Sequence, residues 1–143
     1  MNLFECKVKY EKINDKSGNE QKVTEKYLVD AVSFTEAEAR IYKEMETMVS
    51  GEFMVDGISR AKYSEIFPND EGGIWYKGKI SFMSIDEKSG REKKTTNNVL
   101  VMASDVPDAD KKIKEGMGGL TVDFDINGIT DSKIMDFFPY FKE

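Results

Sequence analysis

Residues 14–24 read NDKSGNEQKVT and residues 86–96 read DEKSGREKKTT. The same polar turn occurs twice in one short chain, and its chemistry is specific. Glycine supplies a positive φ at low cost, while the Asp and Ser side chains bond nearby backbone. Each stretch is therefore read as the tip of a β-hairpin. Before the first turn, Phe4, Cys6, Val8 and Tyr10 alternate with Glu5, Lys7, Lys9 and Glu11, which is the period of a half-buried strand. Before the second, Tyr76, Gly78, Ile80 and Phe82 alternate with Lys77, Lys79 and Ser81. KVTEKYLVDAV and KTTNNVLVMAS supply the return strands.

The similarity extends well beyond the turns. At an offset of 72, residues 7–45 lie on 79–117 without a gap, and 14 of those 39 positions are identical. Chance at average residue frequencies gives roughly two or three, so an internal duplication is the expectation. After one deletion, Phe53, Gly57, Ile58, Lys62, Phe67 and Pro68 match Phe124, Gly128, Ile129, Lys133, Phe138 and Pro139.

Each copy continues into a helix. Ser33 with Glu36, and Asp105 with Asp108, have the spacing of an N-cap and its reciprocal partner. Pro107 stands where a first-turn proline is tolerated. Ala37, Ile41, Met45 and Met48 form one apolar face, and Ala109, Ile113 and Met117 form its counterpart. Gly116, Gly118 and Gly119 are expected to end the second helix early. A third strand is read from EFMVDGISRAKYSEIF and from DFDINGITDSKIMDFF, with Gly57 and Gly128 marking a bulge or a close backbone approach.

The expected fold is thus α+β, a strand–strand–helix–strand unit used twice, with antiparallel sheets and two helices about a pseudo-twofold axis. The boundaries are 1–67 for the first repeat, 68–73 (PNDEGG) for a turn-rich linker and 74–140 for the second repeat. One helix over three strands is a thin core, so the two repeats are expected to pack as one fused globule. The pattern leaves open the strand order across the two copies.

Composition removes whole classes of chemistry. The chain has no histidine, which excludes the commonest general base and metal ligand. Cys6 is the single cysteine, so neither an intrachain disulfide nor a thiolate zinc cluster can form. Its alternation with Phe4 and Val8 reads as a small buried hydrophobe. No catalytic motif is found, no cofactor or metal is expected, and the chain is not read as an enzyme. No apolar run approaches a membrane span, and MNLFECKVKY lacks a signal-peptide layout, so the expected compartment is the cytoplasm.

FECKVKYEK, YLVDAVSFTEAEARI, RAKYSEIF and KIMDFFPY together resemble a domain-of-unknown-function family found in Bacteroidota genomes and their phages. The resemblance covers essentially the whole chain. It implies a small soluble protein of a phage or mobile element and brings no activity or catalytic residue with it. The glycine-rich EGMGGL is a departure from the family pattern.

A net charge of −6 argues against a broad duplex-binding face. Charge is uneven, however. Residues 75–96 hold six basic side chains, Lys77, Lys79, Lys88, Arg91, Lys93 and Lys94, against Asp86, Glu87 and Glu92. With Trp75 at its start, this hairpin is the candidate grip on single-stranded nucleic acid: bases stack on the aromatic while Lys77, Lys79, Arg91, Lys93 and Lys94 track phosphates. Lysines on an edge hairpin also deter sheet-to-sheet aggregation, a reading that needs no ligand. The alternative partner is a host or phage protein, or a small nucleotide ligand.

Three other features carry less. DSKIMDFFPYFKE is similar to the acidic, aromatic partner-binding tails of bacterial single-strand DNA-binding proteins, but YSEIFP stands at the matching internal position, which favours a strand followed by a tail from Tyr140 to Glu143. Asp123, Asp125 and Asp131 could hold a hard cation, yet the calcium-loop pattern is missing and the first copy has Glu52 and Met54 at two of those positions. GMGGL lacks the lysine and the strand-to-helix order of a P-loop.

Overall fold

A computed structural model describes residues 2–118 and 123–140. The order is β1 (Leu3–Ile13), β2 (Glu20–Asp30), α1 (Phe34–Met48), β3 (Phe53–Ala61), β4 (Glu65–Phe67), β5 (Ile74–Ile85), β6 (Glu92–Ala103), α2 (Val106–Gly116), β7 (Phe124–Asp131) and β8 (Ile134–Phe138).

Both quoted turns are hairpin tips. Gly18 and Gly90 each have φ +70. Asn14 Oδ1 accepts from Lys16 N, and Asp86 Oδ1 accepts from Lys88 N, both at 2.9 Å. The caps also follow the sequence. Ser33 Oγ accepts from Glu36 N, and Glu36 Oε1 accepts from Val32 N, each at 3.2 Å. Asp105 Oδ1 accepts from Asp108 N at 2.8 Å, and Asp108 Oδ2 from Ser104 N at 3.0 Å. The reciprocal bond thus goes to the residue before the N-cap.

The strands form two four-stranded mixed sheets, ordered β3-β1-β2-β8 and β7-β5-β6-β4. The hairpin pairs β1–β2 and β5–β6 are antiparallel, as are β1–β3 and β5–β7. A bulge interrupts each outer pair, between Lys7 and Val8 opposite Gly57 and Val55, and between Lys79 and Ile80 opposite Gly128 and Ile126. A Cβ at Gly57 or Gly128 would meet nothing within 4 Å, so these glycines accompany a bulge and not a close approach.

In each half of the sequence the expected third strand is a pair of strands. β3 ends at Ala61 and β4 begins at Glu65; β7 ends at Asp131 and β8 begins at Ile134. β4 then runs parallel to β6, and β8 runs parallel to β2. Each short apolar strand therefore completes the sheet built by the other half of the sequence. The physical reason is edge pairing: β3 and β7 pair beside β1 and β5, while β2 and β6 each offer an edge to a further strand. The chain forms two compact units, one of residues up to Ala61 plus those from Lys133, the other Lys62–Ser132.

In the first unit, Phe4, Cys6, Val8, Tyr27, Val29 and Ala31 pack against Ala37, Ile41 and Met45 of α1, with Phe138 of β8. In the second, Tyr76, Ile80, Val99, Val101 and Ala103 pack against Ala109, Ile113 and Met117, with Phe67 of β4 alongside. α2 has 11 residues against 15 in α1, as the glycines suggest. Gly116 is the last residue of the helix, and a Cβ there would sit 2.6 Å from the Phe67 ring. The helix thus makes room for β4 at that position. Gly119 and Leu120 of GMGGL, and tail residues 141–143, lie outside the described residues.

Candidate nucleic-acid interface

The uninterrupted alternation of β5 and its antiparallel register with β6 set two faces. Tyr76, Ile80, Val99 and Val101 face the helix. Lys77, Lys79, Ser81, Met83 and Ile85 share the opposite face with Glu92, Lys94, Thr96, Asn98 and Leu100. Lys79 is registered against Asn98, and Met83 against Lys94.

This arrangement brings together some of the candidate residues and separates others. Lys77, Lys79 and Lys94 share the face away from the helix, and all are exposed. Lys93 is exposed on the helix side, opposite Ser84. Arg91 is exposed at the turn, where its N–H donates to Ser89 Oγ at 3.3 Å. Trp75 lies on the same face as the lysines but is only 4% exposed. Its ring is not a surface platform on which a base can stack. Leu100, on the same face, is also fully buried.

Exposed apolar groups on this face are aliphatic. Met83 is 51% exposed and Ile85 is 72% exposed, beyond Lys79 toward the hairpin tip. Both stand at the same alternate positions as Lys77 and Lys79, a signal present in the sequence but not used there. Between them and Lys79, Ser81 is buried and hydrogen-bonded to the Asn127 side chain at the bulge, with Asn127 Nδ2 donating to Ser81 Oγ at 3.1 Å.

The first unit shows what a neutralised face looks like. There Lys26 pairs with Glu5 at 3.1 Å, and Lys9 pairs with Asp56 at 3.3 Å. At the matching positions of the second hairpin and its bulge, Lys77 and Asn98 stand for Glu5 and Lys26, and Ser81 and Asn127 for Lys9 and Asp56, so both members of each ion pair differ. Among the described residues, no carboxylate lies within 4 Å of the ammonium of Lys77, Lys79, Lys93 or Lys94, or of the Arg91 guanidinium.

Asp123 and Asp125 flank a small hollow of about 180 Å³ with Lys94, whereas Asp131 pairs with Tyr76 at the far end of β7. Among the described residues, no three His, Cys, Asp or Glu side chains could hold a metal ion. A broad cleft of about 750 Å³ at the first hairpin is lined by charges of both signs, including Lys9, Glu11, Glu20 and Lys22, beside Tyr10 and Phe53. A hydrogen bond to Glu11 makes the Glu20 carboxyl hold its proton more tightly than usual. Burial pushes the Cys6 thiol up to about 12, with Glu5 adding to the shift, so the sulfur stays protonated and inert at neutral pH.

The model of the domain of unknown function DUF4494 matches residues 2–140. The chain belongs to the DUF4494 family. No curated protein and no solved structure matches it. Membership assigns no chemistry to any residue of this DUF4494 chain, and the lysine face stands on its own geometry. No helix among the described residues is long and apolar enough to cross a membrane.

Proposed function

We propose that this DUF4494 protein is a non-catalytic binding protein that engages single-stranded nucleic acid through the β5–β6 hairpin. One observation carries the reading: Lys77, Lys79 and Lys94 share one exposed sheet face with no carboxylate within 4 Å among the described residues. Lysines two apart on a strand project from the same face about 7 Å apart, a spacing that suits successive groups along an extended backbone. Met83 and Ile85 offer apolar contact where Trp75 does not. The proposal takes the chain as an internal duplication with pseudo-twofold symmetry, in which the second copy keeps neither ion pair of the first face. A phage or mobile-element setting and a cytoplasmic location fit the family resemblance.

The test is fluorescence anisotropy with labelled single-stranded and duplex DNA. Three phosphate contacts predict an affinity that drops roughly 20-fold between 50 and 200 mM salt on single strands. Lys94→Glu should weaken binding more than Lys93→Glu, because Lys93 lies on the other face. Flat traces at both salts, or equal effects of the two substitutions, would overturn the reading. In the flat case the exposed Met83 and Ile85 favour a protein partner, identified by affinity capture and insensitive to the lysine changes.

A further inference from the structure

We infer that a second copy of this chain can accept β8 in place of its own, giving a strand-exchanged dimer. The inference is independent of the nucleic-acid reading and starts from topology. β8 belongs by contacts to the first unit, yet the chain enters it directly from β7 of the second unit. Only residues 132–133 separate the two strands. Every contact that β8 makes with β2 can be made equally by β8 of another copy, which is why strand exchange is a low-cost route to dimers.

The hinge supplies the second observation. Lys133 has φ 64 and is the one non-glycine residue with positive φ among the described residues. Ser132 is held at the turn by two bonds to one acceptor: its N–H donates to Trp75 O at 3.0 Å and its Oγ–H to the same oxygen at 2.6 Å. A short hinge bent through a left-handed lysine is relieved when the chain runs straight on, and strained short hinges invite exchange. If β7 and β8 continue as one extended segment, Lys133 returns to the extended region and β8 reaches a different molecule. The slot it enters is fully specified. Tyr27, Leu28 and Val29 of β2 pair with Asp136, Phe137 and Phe138, the Tyr27 and Phe138 rings stack at 5.7 Å, and the Arg40 guanidinium donates to Pro139 O at 2.7 Å.

The experiment uses the full chain, refolded at high protein concentration and separated by size-exclusion chromatography with light scattering. Wild type should yield a dimer that survives dilution for hours, because release requires β8 to leave its sheet. Lys133→Gly, which accepts a positive φ, should lower the dimer fraction several-fold. Lys133→Val, which resists it, should raise the fraction, and Ser132→Ala should do the same if the valine variant does not fold. Monomer alone in wild type and in the variants that favour extension would overturn the inference. So would a dimer that falls apart within minutes of dilution, or one whose amount ignores position 133.

Discussion

Gly116 shows how a residue that reads as a helix terminator can have a packing role. A Cβ there would lie 2.6 Å from Cε1 of Phe67 and under 3 Å from two further ring atoms. Gly116→Ala should therefore lower stability by about 1–3 kcal/mol, the usual cost of overpacking, although alanine is the better helix former. A denaturant midpoint that rises in the variant would show that the ring yields freely. Asp108 makes the matching electrostatic prediction. The Ser104 backbone N–H, then Lys112 at 2.9 Å, hold its carboxyl below the ordinary aspartate value, against a smaller opposing effect of burial. A depressed folded value means that the bonds stabilise above the unfolded pKa and are lost as pH falls through the folded one. The melting-temperature gap between wild type and Asp108→Asn should thus be full at pH 7. It should close as the pH drops below about 4, the unperturbed aspartate range.

At the scale of elements, local chemistry was legible and edge pairing was not. The Asn14 and Asp86 turns, the Ser33 and Asp105 caps and the apolar faces of both helices depend on residues within a few positions of each other, so sequence spacing reveals them. The division of EFMVDGISRAKYSEIF into β3 and β4 depends on an open edge far along the chain, and no local pattern announces it. The candidate site was legible to a similar degree. The exposed lysines followed from alternation, but the burial of Trp75 did not, because its face otherwise carries Lys77 and Lys79. Arg40 provides a further test of the docked strand. Its guanidinium donates to Asp30 O and Pro139 O and lies 5.6 Å from the Tyr140 ring centroid. Arg40→Ala should speed hydrogen exchange of the Phe137 and Phe138 amides while leaving β5 and β6 unchanged. Lys at this position should restore little, since one ammonium cannot span two carbonyls as the planar fork does. Equal protection in all three proteins would remove Arg40 from that role.

For the molecule as a whole, the route of the chain has a consequence in time. The second unit is one continuous segment, Lys62–Ser132, whereas the first is assembled from both ends of the sequence. During synthesis, the sheet containing β5 and β6 has all its strands once residue 131 has emerged. The sheet begun by β1 waits until residue 138. Non-local pairing is also the slow kind, since a long loop must close first. Pulsed hydrogen exchange during refolding should therefore protect the amides of β5 and β6 before those that join β2 to β8. The half of the protein made first is the half finished last, and until then the edge of β2 is left open to any extended segment nearby.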